Sequence, residues 1–101
     1  MKRLATLILV SFPWTLAAAD SYEPPAGFVP DAATAIRIAE AVWIPIYGER
    51  KIAEERPFKA TLRHGVWTVE GSLPSTMAIG GVAEADISKR DGRILRVLHG
   101  K

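Results

Sequence analysis

The groups in this chain best suited to acid–base or metal chemistry are two histidines, His64 and His99, and a scatter of carboxylates. A zinc site needs three or four converging ligands. Neither histidine has a second one at metal-binding spacing, so each is expected to be exposed and unliganded. The chain has no cysteine, hence no thiolate nucleophile and no disulfide. Ser72, Ser75 and Ser88 lack the context of a nucleophile elbow. Glu70, Glu84 and Asp86 fall on candidate strands. A glycosidase needs two facing carboxylates in a cleft, one with a raised pKa. One helix on one small sheet leaves little room for such a cleft. Cross-strand pairing with Lys59, Arg63 or Arg96 is the expectation instead. Gly80-Gly81 lacks the lysine and the following helix of a phosphate loop. The side-chain inventory therefore predicts no catalytic residue, no metal and no cofactor.

The elements that position these groups begin after a leader. Lys2 and Arg3 precede an apolar run from Leu4 to Leu16, and Ala17 and Ala19 complete an A-x-A site. A spanning helix needs about 20 apolar residues. This run is shorter and is broken by Ser11 and Pro13. Residues 1–19 are therefore read as a signal peptide, cleaved between Ala19 and Asp20, which places the mature chain in the periplasm or outside the cell. With no cysteine, a lipid anchor at that site is excluded. The formal charge of +2 comes from 13 basic and 11 acidic residues. Removing Lys2 and Arg3 leaves 11 of each and a net charge of zero, so no basic stripe remains to neutralise phosphates and nucleic-acid binding is not expected. No later run is apolar enough to cross a membrane. A chain of about 80 residues buries only about 60–65% of its unfolded surface, and its core must hold without disulfides.

Residues 20–30, DSYEPPAGFVP, read as an extended lead-in with Tyr22 and Phe28 as anchors. Asp31 is a good helix N-cap. From there Ala32, Ala35, Ile36, Ala39, Val42, Trp43 and Ile46 share one stripe at helical period. Arg37, Ala41 and Pro45 lie opposite. A proline inside a helix leaves the carbonyl four residues back without a donor. On the outer face water satisfies that carbonyl, here Ala41, so AVWIPIYG reads as a bent helix closed by Gly48 and not as a ligand site.

The connector GERKIAEERP reads as a solvated loop or short helix. The period then changes to two. FKATLR and VWTVEG flank His64-Gly65 as a β-hairpin. SLPSTMAIGG is a loop, VAEADIS a strand with Ala83, Ala85 and Ile87 on one face, Arg90-Asp91-Gly92 a turn and RILRVLH the last strand. The fold class is α+β: one N-terminal helix packed on a four-stranded antiparallel sheet. Trp43, Tyr47, Phe58 and Trp67 are expected to meet as an aromatic cluster in the core. Two segments suit a partner surface. One is the charged connector with Glu49, Arg50, Lys51, Glu54 and Glu55, whose charges steer encounter. The other is the long loop with Met77 and Ile79 at its apolar tip.

Several stretches resemble, in order, the small NTF2 fold immunity protein family of bacterial polymorphic-toxin systems. They are IPIYGE at 44–49, RPFKATL at 56–62, GVWTVEGSLP at 65–74, GGVAEADISKRDGRIL at 80–95 and HGK at 99–101. The resemblance implies an NTF2-like, cystatin-like cone of sheet wrapped on helix over residues 31–101. It also implies a non-catalytic immunity protein whose partner is a cognate toxin. It carries over no toxin-contacting residue. This chain keeps one long helix, which argues against a deep NTF2-type pocket. The alternative is a PepSY-like inhibitory domain acting on a secreted peptidase, from the Trp67-x-Val69 strand and the Asp91-Gly92 hairpin.

Overall fold

The computed structural model describes residues 20–74 and 80–100. The leader with Ala19, and the loop positions Met77 and Ile79, lie outside them. The elements are α1 (Ala32–Tyr47), α2 (Glu49–Ala53), β1 (Lys59–Arg63), β2 (Val66–Glu70), β3 (Ala83–Ser88) and β4 (Ile94–His99). The four strands form one antiparallel sheet in sequential order, with β1 and β4 at its edges. Among the described residues no helix is long and apolar enough to cross a membrane.

Helix α1 starts as its sequence dictates. Asp31 has extended backbone, and its carboxylate accepts the amide of Thr34 at 2.8 Å. Hydrogen bonding from Thr34 holds the Asp31 carboxyl below its ordinary range. Ala35, Ala39 and Trp43 are buried, while Ala41 and Pro45 face solvent. The expected stripe fails at one position: Ile46 is 57% exposed. In that last turn Ile44 and Tyr47 are the residues that pack on the core, Tyr47 against His99 of β4, and Ile46 is left at the open margin of the stripe. The helix ends at Gly48, whose amide still donates to the Ile44 carbonyl at 2.9 Å while its φ of 99° and ψ of 144° enter territory that belongs to glycine. A Cβ there would meet nothing within 4 Å. Gly48→Ala is therefore expected to cost about 1–3 kcal/mol from backbone strain alone. Urea titration checks this; an unchanged midpoint would show that the chain relaxes the turn freely.

The lead-in is anchored differently from the expectation. Tyr22 and Phe28 are exposed, and Val29 is the fully buried residue. Its backbone is held to the turn between β3 and β4: Phe28 and Val29 donate to the carbonyls of Arg90 and Lys89, each at 3.0 Å. Trp67 Nε1 donates to the Val29 carbonyl at 2.8 Å. The hairpin turn His64-Gly65 has positive φ at both residues, 50° and 77°, the type I′ geometry that fits strand twist.

The inner sheet face supplies Trp67, Val69, Ala83, Ala85 and Ile87, which close on Ala35, Ala39 and Trp43. Small residues on both sides, Ala35 and Ala39 against Ala83 and Ala85, leave the space between layers to be filled by the tryptophans, Ile52 and Val29. All four aromatic side chains belong to the core, Trp43 and Trp67 within it and Tyr47 and Phe58 packed against it, but they meet it at different points. Trp43 packs on Phe58 with ring centres 5.5 Å apart, Tyr47 lies against His99, and Trp67 sits with Val29.

The outer sheet face is polar. Arg96 bridges Glu84 and Asp86, its Nε donating to Asp86 Oδ2 at 2.8 Å, and Thr68 Oγ1 donates to Asp86 Oδ1 at 2.7 Å. Of the three cations considered from the sequence, Arg96 is the one that pairs with these strand carboxylates. Its hydrogen bond is the main reason that the Asp86 carboxyl is held below its ordinary 3.8. A carboxyl whose folded pKa is depressed contributes stability that is complete above the unfolded value and is lost as pH falls through the folded one. Thermal stability should thus decline below about pH 4. The gap between wild type and Asp86→Asn should narrow across that same acid range. A gap that stays constant from pH 7 to pH 2 would remove the ion pair as its cause.

Candidate functional site

The connector after α1 does more than link layers. Gly48 turns the chain into α2, and Glu54 closes that helix in right-handed conformation. The Glu55 amide donates to the Ile52 carbonyl at 3.0 Å, which carries the Glu55 side chain inward. Glu55 is only 4% exposed, the sole buried charged residue among those described. A buried carboxylate requires partners, and this one has two, while its main chain supplies a third contact. Oε1 accepts the Ala83 amide at 2.7 Å. Oε2 lies 2.6 Å from His99 Nε2. The Glu55 main-chain carbonyl accepts the Ser72 amide at 2.7 Å, while Ser72 Oγ donates to the Pro57 carbonyl at 2.6 Å.

One residue therefore ties the helical connector to the start of β3, the end of β4 and the segment leaving β2. Gly71 makes room for it: a Cβ at that position would fall 2.5 Å from Glu55 Oε1 and 2.9 Å from its Cβ. Tyr47 completes the corner, its ring centre 5.1 Å from that of His99. The expected solvent-facing role of Glu55 is thus corrected, and so is the expected exposure of His99, whose side chain is only 14% exposed. His64, in the turn, is exposed as expected.

A cavity of about 310 Å³ opens beside this corner, lined by Lys51, Glu54, Glu55, Leu73, Pro74, Gly80, Gly81, His99 and Gly100. Of the connector residues picked out from the sequence, the structure brings Lys51, Glu54 and Glu55 to this cavity. Glu49 and Arg50 are exposed on α2 away from its lining. A carboxylate–imidazole pair is a familiar half of acid–base machinery, but that machinery also needs a nucleophile or a proton to abstract within reach. Here one carboxylate oxygen is held by a backbone amide and the neighbouring Ser72 hydroxyl is held by a backbone carbonyl. Among the described residues no group of three His, Cys, Asp or Glu converges as a metal-binding set. The arrangement is built to hold three chain segments in place, with Lys51 and Glu54 presented at its rim.

A helix laid on a four-stranded antiparallel sheet, with its polar corner at the open end, defines an α+β domain of NTF2-like type. The model of the NTF2 fold immunity protein family matches residues 34–101, and the chain belongs to that family. It is 40% identical over 73 residues to the uncharacterized protein YhhH of Escherichia coli strain K12, covering 72% of this chain and 58% of YhhH. It is 43% identical over 68 residues to the uncharacterized protein YbbC of the same strain, covering 66% of this chain and 55% of YbbC. The chain thus spans less than two thirds of either relative. No solved structure matches it.

Proposed function

We propose that the protein is an exported, non-catalytic immunity protein that binds a toxin acting in the cell envelope and neutralises it by covering it. The family match over residues 34–101 carries this reading. Two observations support it. The leader pattern of Lys2-Arg3, an apolar run and Ala17-Ala18-Ala19 is that of an exported chain. The buried carboxylate of the site is occupied by structural hydrogen bonds, which leaves surface complementarity as the source of function. The proposed contact surface is the exposed side of α2 and its end, with Glu49, Arg50, Lys51 and Glu54. Charges of both signs close together on one short helix and its C-cap favour a partner patch of complementary pattern.

The experiment is co-expression. The protein, tagged at its C-terminus, is recovered from the envelope fraction with whatever it retains, and the retained protein is expressed alone and together with it. The proposal expects killing by the partner alone and rescue by the pair. It also expects loss of rescue when Glu49, Lys51 and Glu54 are reversed in charge with the fold intact. A retained partner equally toxic with and without this protein would end the immunity reading. Recovery from the cytosol with Met1 in place would end the export reading.

A further inference from the structure

Two contacts at the Glu55 corner each need a hydrogen. His99 Nδ1 lies 2.7 Å from the Gly100 carbonyl oxygen, and Nε2 lies 2.6 Å from Glu55 Oε2. A carbonyl oxygen only accepts, so Nδ1 has to carry a hydrogen. The contact between Nε2 and Oε2 needs another. A neutral imidazole has a single N–H, and an ionised carboxylate has none. Together they bring one hydrogen to two contacts, and the missing one is an additional proton bound at this corner.

The neighbours show where that proton sits. Oε1 of Glu55 accepts the Ala83 amide at 2.7 Å, so both carboxylate oxygens face nitrogen, the arrangement of an ionised group. The Tyr47 ring on α1 lies 5.1 Å from the imidazole, centre to centre, within reach of a cation–ring attraction. Among the described residues, α2 and its end add Lys51 and Glu54, opposite in sign, along the adjoining cavity. Glu84 of β3 and Arg96 of β4 pair with each other on the outer face. The closed corner is therefore an imidazolium–carboxylate pair, with hydrogen on both ring nitrogens.

When the proton leaves, one contact has to lapse, and burial decides which. Glu55 is 4% exposed, and its Oε2 has no second donor among the described residues. Gly100 is exposed, so water can take over its carbonyl. A buried acceptor left without a donor is the costlier loss. The remaining hydrogen thus stays on Nε2 toward Glu55. Nδ1 is left bare, lone pair to lone pair with the Gly100 oxygen.

We propose that Glu55 and His99 form a proton-gated clasp, which holds the Gly100 carbonyl while the imidazole carries both hydrogens and releases it as pH rises. Gly100 lines the same cavity as Lys51 and Glu54, so the gate acts on one wall of that cavity.

NMR spectroscopy of the full chain, labelled with nitrogen-15 and carbon-13, tests this across a pH series. His64, exposed in its turn, is the reference imidazole. After His99 loses its proton, its ring nitrogens should show hydrogen on Nε2 alone. The Gly100 carbonyl carbon resonance should shift with the midpoint of His99 and not with that of His64. His64→Asn, which suits the positive φ of that position, should leave the Gly100 shift in place and removes any overlap of midpoints. Glu55→Gln should reverse the pattern. Its oxygen still serves the Ala83 amide, while its NH2 replaces Oε2 and donates to Nε2. The neutral ring then meets both contacts with its hydrogen on Nδ1, so the tautomer should switch and the pH-dependent shift at Gly100 should be lost. A wild-type ring that keeps its hydrogen on Nδ1 after proton loss overturns the proposal. A Gly100 resonance indifferent to the His99 titration does so too, as does a folded Glu55→Gln protein with the wild-type tautomer. If Glu55→Gln does not fold, the two wild-type readouts decide.

Discussion

Glu55→Ala is expected to lower stability by about 3–5 kcal/mol. The figure follows from what the substitution strands, beyond the atoms it deletes. The Ala83 amide loses its acceptor inside the fold, His99 Nε2 loses its partner at 14% side-chain exposure, and the connector is no longer held to β3 and β4. A buried donor left unmatched costs about 1–3 kcal/mol by itself. A domain of this size has about 4–12 kcal/mol in total, so the variant should be close to unfolding at growth temperature. Glu55→Gln separates shape from charge. It keeps an oxygen for the Ala83 amide and the same chain length, and it should recover about half of the loss. His99→Ala opens the ring's space toward the adjoining cavity, where water can reach Glu55 Oε2, and should cost less than Glu55→Ala. Urea unfolding of the three variants gives the order directly. A Glu55→Ala protein within about 1 kcal/mol of wild type would show that the connector is held by Ile52 and the backbone bonds alone, and that Glu55 is free for another role.

What could and could not be read from the sequence divides along a physical line. The start of α1 was legible because Asp31 is a local signal, its carboxylate reaching an amide three residues on. The hairpin was legible because His64-Gly65 can adopt positive φ at two successive positions. The inward face of β3 was legible because Ala83, Ala85 and Ile87 alternate with polar neighbours. Glu55 was not. It sits among Glu49, Arg50, Lys51, Glu54 and Arg56, and nothing within its own segment distinguishes it from them. Its burial is decided by an amide 28 residues away and an imidazole 44 residues away. One clue was present: Val97 and His99 share a parity in the last strand, and Val97 faces the core. A histidine on that face requires a polar partner, and the carboxylates of the connector were the available supply. The lead-in failed for a related reason. Tyr22 and Phe28 are the larger residues, but the backbone bonds of Phe28 and Val29 to the β3–β4 turn aim Val29 inward, and size does not override that geometry.

Trp43→Ala and Trp67→Ala should each cost about 3–5 kcal/mol, the range for emptying a buried aromatic site. Phenylalanine substitutions are more telling, because they keep most of the apolar volume and test the indole nitrogen. Trp67 Nε1 donates to the Val29 carbonyl at 2.8 Å within the core. Trp67→Phe leaves that carbonyl without a donor and loosens the anchor of the lead-in, a loss of about 1–3 kcal/mol beyond the change in volume. Trp43 is fully buried, yet its Nε1 has no acceptor among the described residues. Trp43→Phe therefore sacrifices no hydrogen bond. It also removes a polar group from a site that leaves it unmatched, which offsets part of the packing loss against Phe58. The less buried tryptophan should thus be the more costly to replace by phenylalanine, although exposure alone ranks them the other way, at 7% against 0%. Thermal and urea unfolding of both single variants, measured at one pH, decide the order. If Trp43→Phe proves the more damaging, packing volume governs both sites and the bond between Trp67 and Val29 adds little to the hold on the lead-in.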